Sequence, residues 1–174
     1  MKKKYSKLSK IFFISLIHII LTGLLDALVK GNVVAAYNND WSLVPWFFKD
    51  ANLLWPFLLL VISVLAGIFI MRKFKFGWKY FIFFFVWGIS GLESLSYWFW
   101  IWALGIGQTL WWLPDTSFFW WYPKTAPWLN SFIHLKLLSG WGDVTRRSVL
   151  LGTVVSFVLN LVLVFILGKH KTKQ

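Results

Sequence analysis

The stretch Gly88-Ile89-Ser90-Gly91-Leu92-Glu93-Ser94-Leu95-Ser96-Tyr97-Trp98-Phe99-Trp100 lies inside an apolar run from Tyr80 to Leu104 and places one carboxyl group, Glu93, near its middle. An ionisable side chain at the centre of a membrane helix costs about 2.5–3.5 kcal/mol on insertion scales, so it faces a partner or a polar cavity rather than lipid. The run exceeds the ~20 residues needed to cross about 30 Å of hydrocarbon, which makes it a membrane span carrying a buried acid.

Composition agrees. Of 174 residues, 59% are hydrophobic and 14% charged, against roughly 25% charged in soluble domains. Three further apolar runs, 11–29, 53–71 and 149–167, join 80–104 to give an all-α integral membrane protein with four transmembrane helices, one membrane domain over 1–174. The 19-residue first run follows Lys2, Lys3, Lys4, Lys7 and Lys10 as a signal peptide would. It is longer than the roughly 7–15 residues of a signal core and carries His18 and Asp26, so it reads as a retained helix. The formal charge of +12 comes from short basic runs flanking apolar segments, not from one soluble face, which excludes nucleic acid as the partner. Without Cys there is no disulfide, thiolate catalysis or Cys-ligated metal.

Charge also orients the helices. The leader, the turn Arg72, Lys73, Lys75, Lys79 and the tail Lys169, Lys171, Lys173 hold twelve of the eighteen basic residues. Placing them together puts both termini on the cytoplasmic side of a cell membrane. Lys30, Lys49, Lys124, Lys136, Arg146 and Arg147 then fall outside, with Asp40, Asp50, Asp115 and Asp143. Most Trp belong to the outer half as well. The outer cap 105–148, with Trp111, Trp112, Trp120, Trp121 and Trp128, is far longer than ordinary helix connections. Within it Pro127 suits the start and Gly140 the end of a short interfacial helix, with Trp128, Leu129, Phe132 and Leu135 on one face and Asn130, Ser131 and His134 on another.

On a helical wheel, Ser15, His18, Thr22 and Asp26 share an arc of roughly 80°, and Ser90, Glu93, Ser94 and Tyr97 one of roughly 100°. Gly152, Thr153, Ser156 and Asn160 form a third stripe. The second helix offers only Ser63, so it is expected to be the most lipid-exposed, with the other three facing one another. Gly88, Ser90, Gly91 and Ser94 allow close backbone approach beside Glu93. At 1.5 Å per residue, Asp26 lies roughly 22 Å and Glu93 roughly 19 Å from the inner ends of their helices, a similar height in the outer half. His18 lies about 12 Å lower, level with Asn160.

Two readings of the acids follow. In one, Asp26 or Glu93 pairs with Arg146, Arg147 or Lys30 and locks the bundle. In the other, two neighbouring carboxyls divide into one protonated donor and one ionised acceptor, suited to acid-base chemistry. Asp26, Glu93 and Tyr97 are then the candidate catalytic residues, Tyr97 orienting Glu93. Arg146, Arg147, His134, Thr153 and Ser156 are the candidate substrate-binding residues, either Arg receiving an anionic head group. No metal or cofactor pattern is present: HExxH, GxSxG, the P-loop and the dinucleotide fingerprint are all missing, and His18 is too far from Asp26 to share a metal. The Trp content is similar to that of the tryptophan-rich sensory proteins, but four spans in this order do not match their five-helix plan. Glu93, Tyr97 and Trp98 resemble the acid-then-aromatics stretch of membrane lycopene cyclases, without that family's paired acids and preceding proline. Three functions remain. The first is a protein binding or acting on a lipid-like or isoprenoid molecule from the outer leaflet. The second is a non-catalytic subunit of a membrane complex that docks partners through its Trp-rich face, and the third an oligomeric proton-coupled transporter.

Overall fold

In the computed structural model, residues 2–37, 42–48, 54–106, 132–142, 144 and 146–169 are described, and all regular structure among them is helical. Three helices are long and apolar enough to cross a membrane, and a bent pair makes a fourth candidate. The expected Pro127 helix start and the Trp cluster Trp111, Trp112, Trp120, Trp121 and Trp128 lie outside the described residues.

Helix α1 (Lys2–Asp26) is continued by a π-helical turn, Ala27–Gly31, and by α2 (Asn32–Ala36) into one long helix. Its buried side follows a single stripe: Leu8, Ile11, Ser15, His18, Thr22, Asp26, Lys30, Val34. Successive four-residue steps drift by about 40° in an α-helix of 3.6 residues per turn; the wider π turn takes up that drift and keeps Lys30 and Gly31 on the stripe. Lys30 is therefore buried, at 6% exposure, rather than outside the first span, whose apolar run ends at residue 29.

Helix α3 (Leu54–Lys73) packs on α1 through Trp55, Leu59, Ser63 and Gly67, four residues apart. Its other sides show Phe57, Leu65 and Phe69 more than half exposed, an apolar surface suited to lipid and not to water. The apolar run 80–104 is not one straight helix. It consists of α4 (Lys79–Gly88) and α5 (Leu92–Ala103), bent by 64°. Gly91, at φ 76°, makes the reversal, a left-handed conformation that side chains with a Cβ adopt at a cost. The backbone groups released there find partners, as they must in hydrocarbon. Ser90 Oγ donates to the Trp87 carbonyl at 2.6 Å and accepts from the Leu92 N–H at 3.2 Å.

Helix α6 (Ile133–Leu138) ends at Gly140, φ 68°, the stop read from sequence. It packs Leu135, fully buried, against Gly152 of α7 (Arg146–Lys169). Helix α1 lies along α4 and α5 and touches α3 and α7, so it is the centre of the bundle. The apolar core occupies the half holding the basic turn: Leu8, Ile11, Phe12, Phe76, Tyr80, Phe83, Phe84 and Trp87 interlock with α7 through Phe157. The other half of α1 is lined with polar groups.

Candidate functional site

Gly23 determines where the site forms. A Cβ there would stand 2.6 Å from the Glu93 carbonyl oxygen and 2.6 Å from Ser96 Cβ, so only glycine lets α1 and α5 approach so closely. The contact is tied by Ser96 Oγ donating to the Ile20 carbonyl at 2.8 Å and by Trp100 Nε1 donating to the same oxygen at 3.3 Å. Asp26, one turn beyond Gly23, is thereby carried to Glu93 in the first turn of α5.

The two acids are 8% and 9% exposed. The Asp26 carboxyl lies within hydrogen-bonding reach of Glu93, and the Lys30 ammonium is the nearby positive charge acting on it. Glu93 Oε2 accepts from Ser94 Oγ at 3.3 Å, while Oε1 is buried without a donor among the described residues. Asp26 Oδ1 accepts from the indole N–H of Trp55. The Lys30 ammonium also sits 5.8 Å from the centre of the Tyr97 ring, near enough for a cation–π contribution. Tyr97 packs with Ala27 and Ile101, which holds its ring in place beside the lysine.

The other candidate residues belong to a neighbouring junction where the helix break meets α6 and α7. His134 is exposed, and its Nε2 engages the Ile89 carbonyl at 2.7 Å, serving the C-terminal end of α4. Thr153 Oγ1 donates to the Val149 carbonyl of its own helix at 2.9 Å, and Ser156 is buried on the inner side of α7. Arg147 is exposed at the start of α7. The Arg146 side chain lies outside what is described.

A second polar cluster lies deeper along α1. His18 Nδ1 meets the Tyr80 hydroxyl at 2.6 Å, and His18 Nε2 meets Ser63 Oγ at 3.3 Å. Ser63 Oγ meets Thr22 Oγ1 at 2.8 Å, and Thr22 donates to the His18 carbonyl at 3.0 Å. The imidazole stacks on Phe84 at 4.7 Å. His18 was expected to neighbour Asn160 instead. Asn160 is fully buried, and neither amide atom has a hydrogen-bond partner among the described residues.

Three participants escaped the wheel projection. Lys30 follows the end of the first apolar run and reads as lying outside that helix, although it is a candidate ion-pair partner of the acids. Trp55 and Ser63 belong to the helix expected to stand apart in lipid, yet each joins one of the two polar clusters. The four-residue spacing of Trp55, Leu59, Ser63 and Gly67 was the available signal. Among the described residues no group of three or more metal-binding side chains comes together. No family model matches this chain, and neither curated proteins nor solved structures yield a match.

Proposed function

We propose that this is a four-span membrane protein, a single domain over 1–174 with both termini cytoplasmic, whose polar site in the outer half of the bilayer binds or acts on a lipid-like or isoprenoid molecule. The observation that carries the reading is the approach of Asp26 to Glu93 with Glu93 Oε1 lacking a donor. Two ionised carboxyls offer only acceptors to each other, whereas one proton between them turns the contact into a hydrogen bond and gives the site an acid and a base. Lys30 balances the remaining charge, and Tyr97 shields it on one side. In this role Arg147, exposed at the start of α7, receives an anionic head group, while His134 holds the helix break that aims Glu93. The bilayer is the partner that the exposed faces of α3 and α7 fit.

The burial of Lys30 with both acids favours a second reading, in which the three charges are a lock inside a non-catalytic subunit of a larger membrane complex. One experiment separates the two. Wild type, Asp26→Asn and Glu93→Gln are purified in mild detergent, and their bound lipids identified by mass spectrometry. The proposal expects a specific non-bulk lipid with the wild type and its loss from a Glu93→Gln protein that still elutes as folded. Collapse of the folded peak on that substitution, with only bulk lipid on the wild type, establishes the lock.

A further inference from the structure

We infer that Ser63, held by His18 and Thr22 of α1, is a positioning residue for Trp55 and through it for Asp26, so that the register of α3 sets the geometry of the acid pair. This rests on the reading that Asp26 and Glu93 are the working groups of the site. Two polar rungs join α3 to α1. At one, Trp55 Nε1 donates to Asp26 Oδ1. At the other, Ser63 Oγ meets His18 Nε2 at 3.3 Å and Thr22 Oγ1 at 2.8 Å. Trp55 and Ser63 are eight residues apart on α3, as are Asp26 and His18 on α1, so both rungs belong to one antiparallel register. They stand about 12 Å apart along the helix axes.

The bond directions at the Ser63 rung follow from its proton count. Thr22 donates its one hydroxyl proton to the His18 carbonyl at 3.0 Å, so it accepts from Ser63. Ser63 then accepts from His18 Nε2–H, and His18 Nδ1 accepts from the Tyr80 hydroxyl at 2.6 Å. The rung thus ties α3 to both α1 and α4. Lipid tails are as apolar as leucine, so a helix in hydrocarbon is held by packing and hydrogen bonds rather than by exclusion from water. Between Leu54 and Met71, Trp55 and Ser63 are the only side chains that carry an N–H or O–H donor. A slip of one residue turns the inner face of α3 by ~100°, and a slip of one turn shifts it about 5.4 Å; either breaks both rungs. Phe47 and Phe48 also pack on the Trp55 ring, with centroids at 6.0 and 5.2 Å. They belong to the turn Trp46–Phe48, which packs on α3 itself. These rings orient the indole, while the Ser63 rung fixes its height against Asp26.

The test is nuclear magnetic resonance of the full chain, isotopically labelled at the indole nitrogens, in mild detergent micelles. The Trp55 N–H signal is identified by its loss in Trp55→Phe, and its bond to the carboxylate by its displacement in Asp26→Asn. Ser63→Ala is expected to displace the same signal in the same direction and to speed its exchange with heavy water on the order of tenfold or more, with helix content unchanged. Thr22→Val, which conserves shape and removes the shorter of the two bonds to Ser63, acts in the same direction. Ser15→Ala is the control, because Ser15 is buried on α1 but bonds to the Phe12 carbonyl one turn back. A wild-type Trp55 signal in both Ser63→Ala and Thr22→Val overturns the inference, as does a signal that ignores Asp26→Asn. An equal change in Ser15→Ala also overturns it, and so does loss of folded protein in both variants, which makes Ser63 a determinant of folding. Lipid bound to each sample is identified in parallel. A wild type that carries only bulk lipid defeats the reading of the acids as a working pair, while the Trp55 signal still decides whether Ser63 positions it.

Discussion

Gly23→Ala adds one methyl group where α1 meets the backbone of α5, and its cost follows from distances. The new Cβ would stand 2.6 Å from the Glu93 carbonyl oxygen, 2.6 Å from Ser96 Cβ and 2.7 Å from Ser96 Oγ. Optimal carbon contacts lie at ~3.5–4.0 Å, so α1 and α5 must separate by about 1 Å. The obstacles are backbone and Cβ atoms, which cannot swing aside as the tip of a side chain would. Separation also stretches the Ser96 to Ile20 hydrogen bond, now 2.8 Å, beyond useful length. Overpacking of this kind costs about 1–3 kcal/mol. Alanine's helix-forming advantage over glycine, about 0.8–1.0 kcal/mol in water, opposes it. That advantage shrinks in lipid, where the separated helices of the reference state are already helical. The expected net loss is about 1–2 kcal/mol. Gly88→Ala is the internal standard, because nothing lies within 4 Å of the atom it adds. Both variants are unfolded by increasing sodium dodecyl sulfate in mixed micelles and followed by circular dichroism. Gly88→Ala should match the wild type or exceed it, and Gly23→Ala should fall below. Equal midpoints for the two variants would refute the close approach on which the meeting of Asp26 and Glu93 depends.

The same assay reads three more substitutions. Asn160→Leu replaces a fully buried amide that has no partner among the described residues and should be neutral or stabilising by up to about 1–3 kcal/mol; a clear loss of stability means the amide is paired. Trp55→Phe keeps the ring packing on α3 but deletes the N–H that reaches Asp26. Hydrogen bonds to charged groups contribute about 1.5–3 kcal/mol, so a measured change below ~0.5 kcal/mol argues that Asp26 does not depend on it. Gly91→Ala forces a Cβ into φ 76° at the bend and should cost about 1–2 kcal/mol. An unchanged midpoint there would mean that α4 and α5 form one straight helix.

What was legible in the chain depended on how each group carries its polarity. Ser15, His18, Thr22 and Asp26 recur every three or four residues in an otherwise apolar helix, so α1 showed its inward stripe directly. Glu93, ringed by Gly88, Ser90, Gly91 and Ser94, showed both an acid and the means for a neighbouring backbone to reach it. The bend was less visible, because small residues that permit close packing are the same ones that permit a left-handed turn, and only the φ of Gly91 decides between them. Lys30 falls outside the first helix read from sequence because the apolar run ends at residue 29 and a charged residue next to that end reads as its boundary, whereas the helix continues through a π turn to Ala36. Trp55 was missed for a different reason. Hydropathy counts tryptophan with the apolar residues, yet its indole N–H is a donor and becomes valuable where water is excluded. Ser63, the one hydroxyl on a bland helix, was discounted in the same way. In hydrocarbon every buried acceptor must find a donor within the protein, so a carboxylate on one helix implies a donor opposite it. The helix that looks purely apolar is then a place to search for that donor, in its tryptophans and isolated serines.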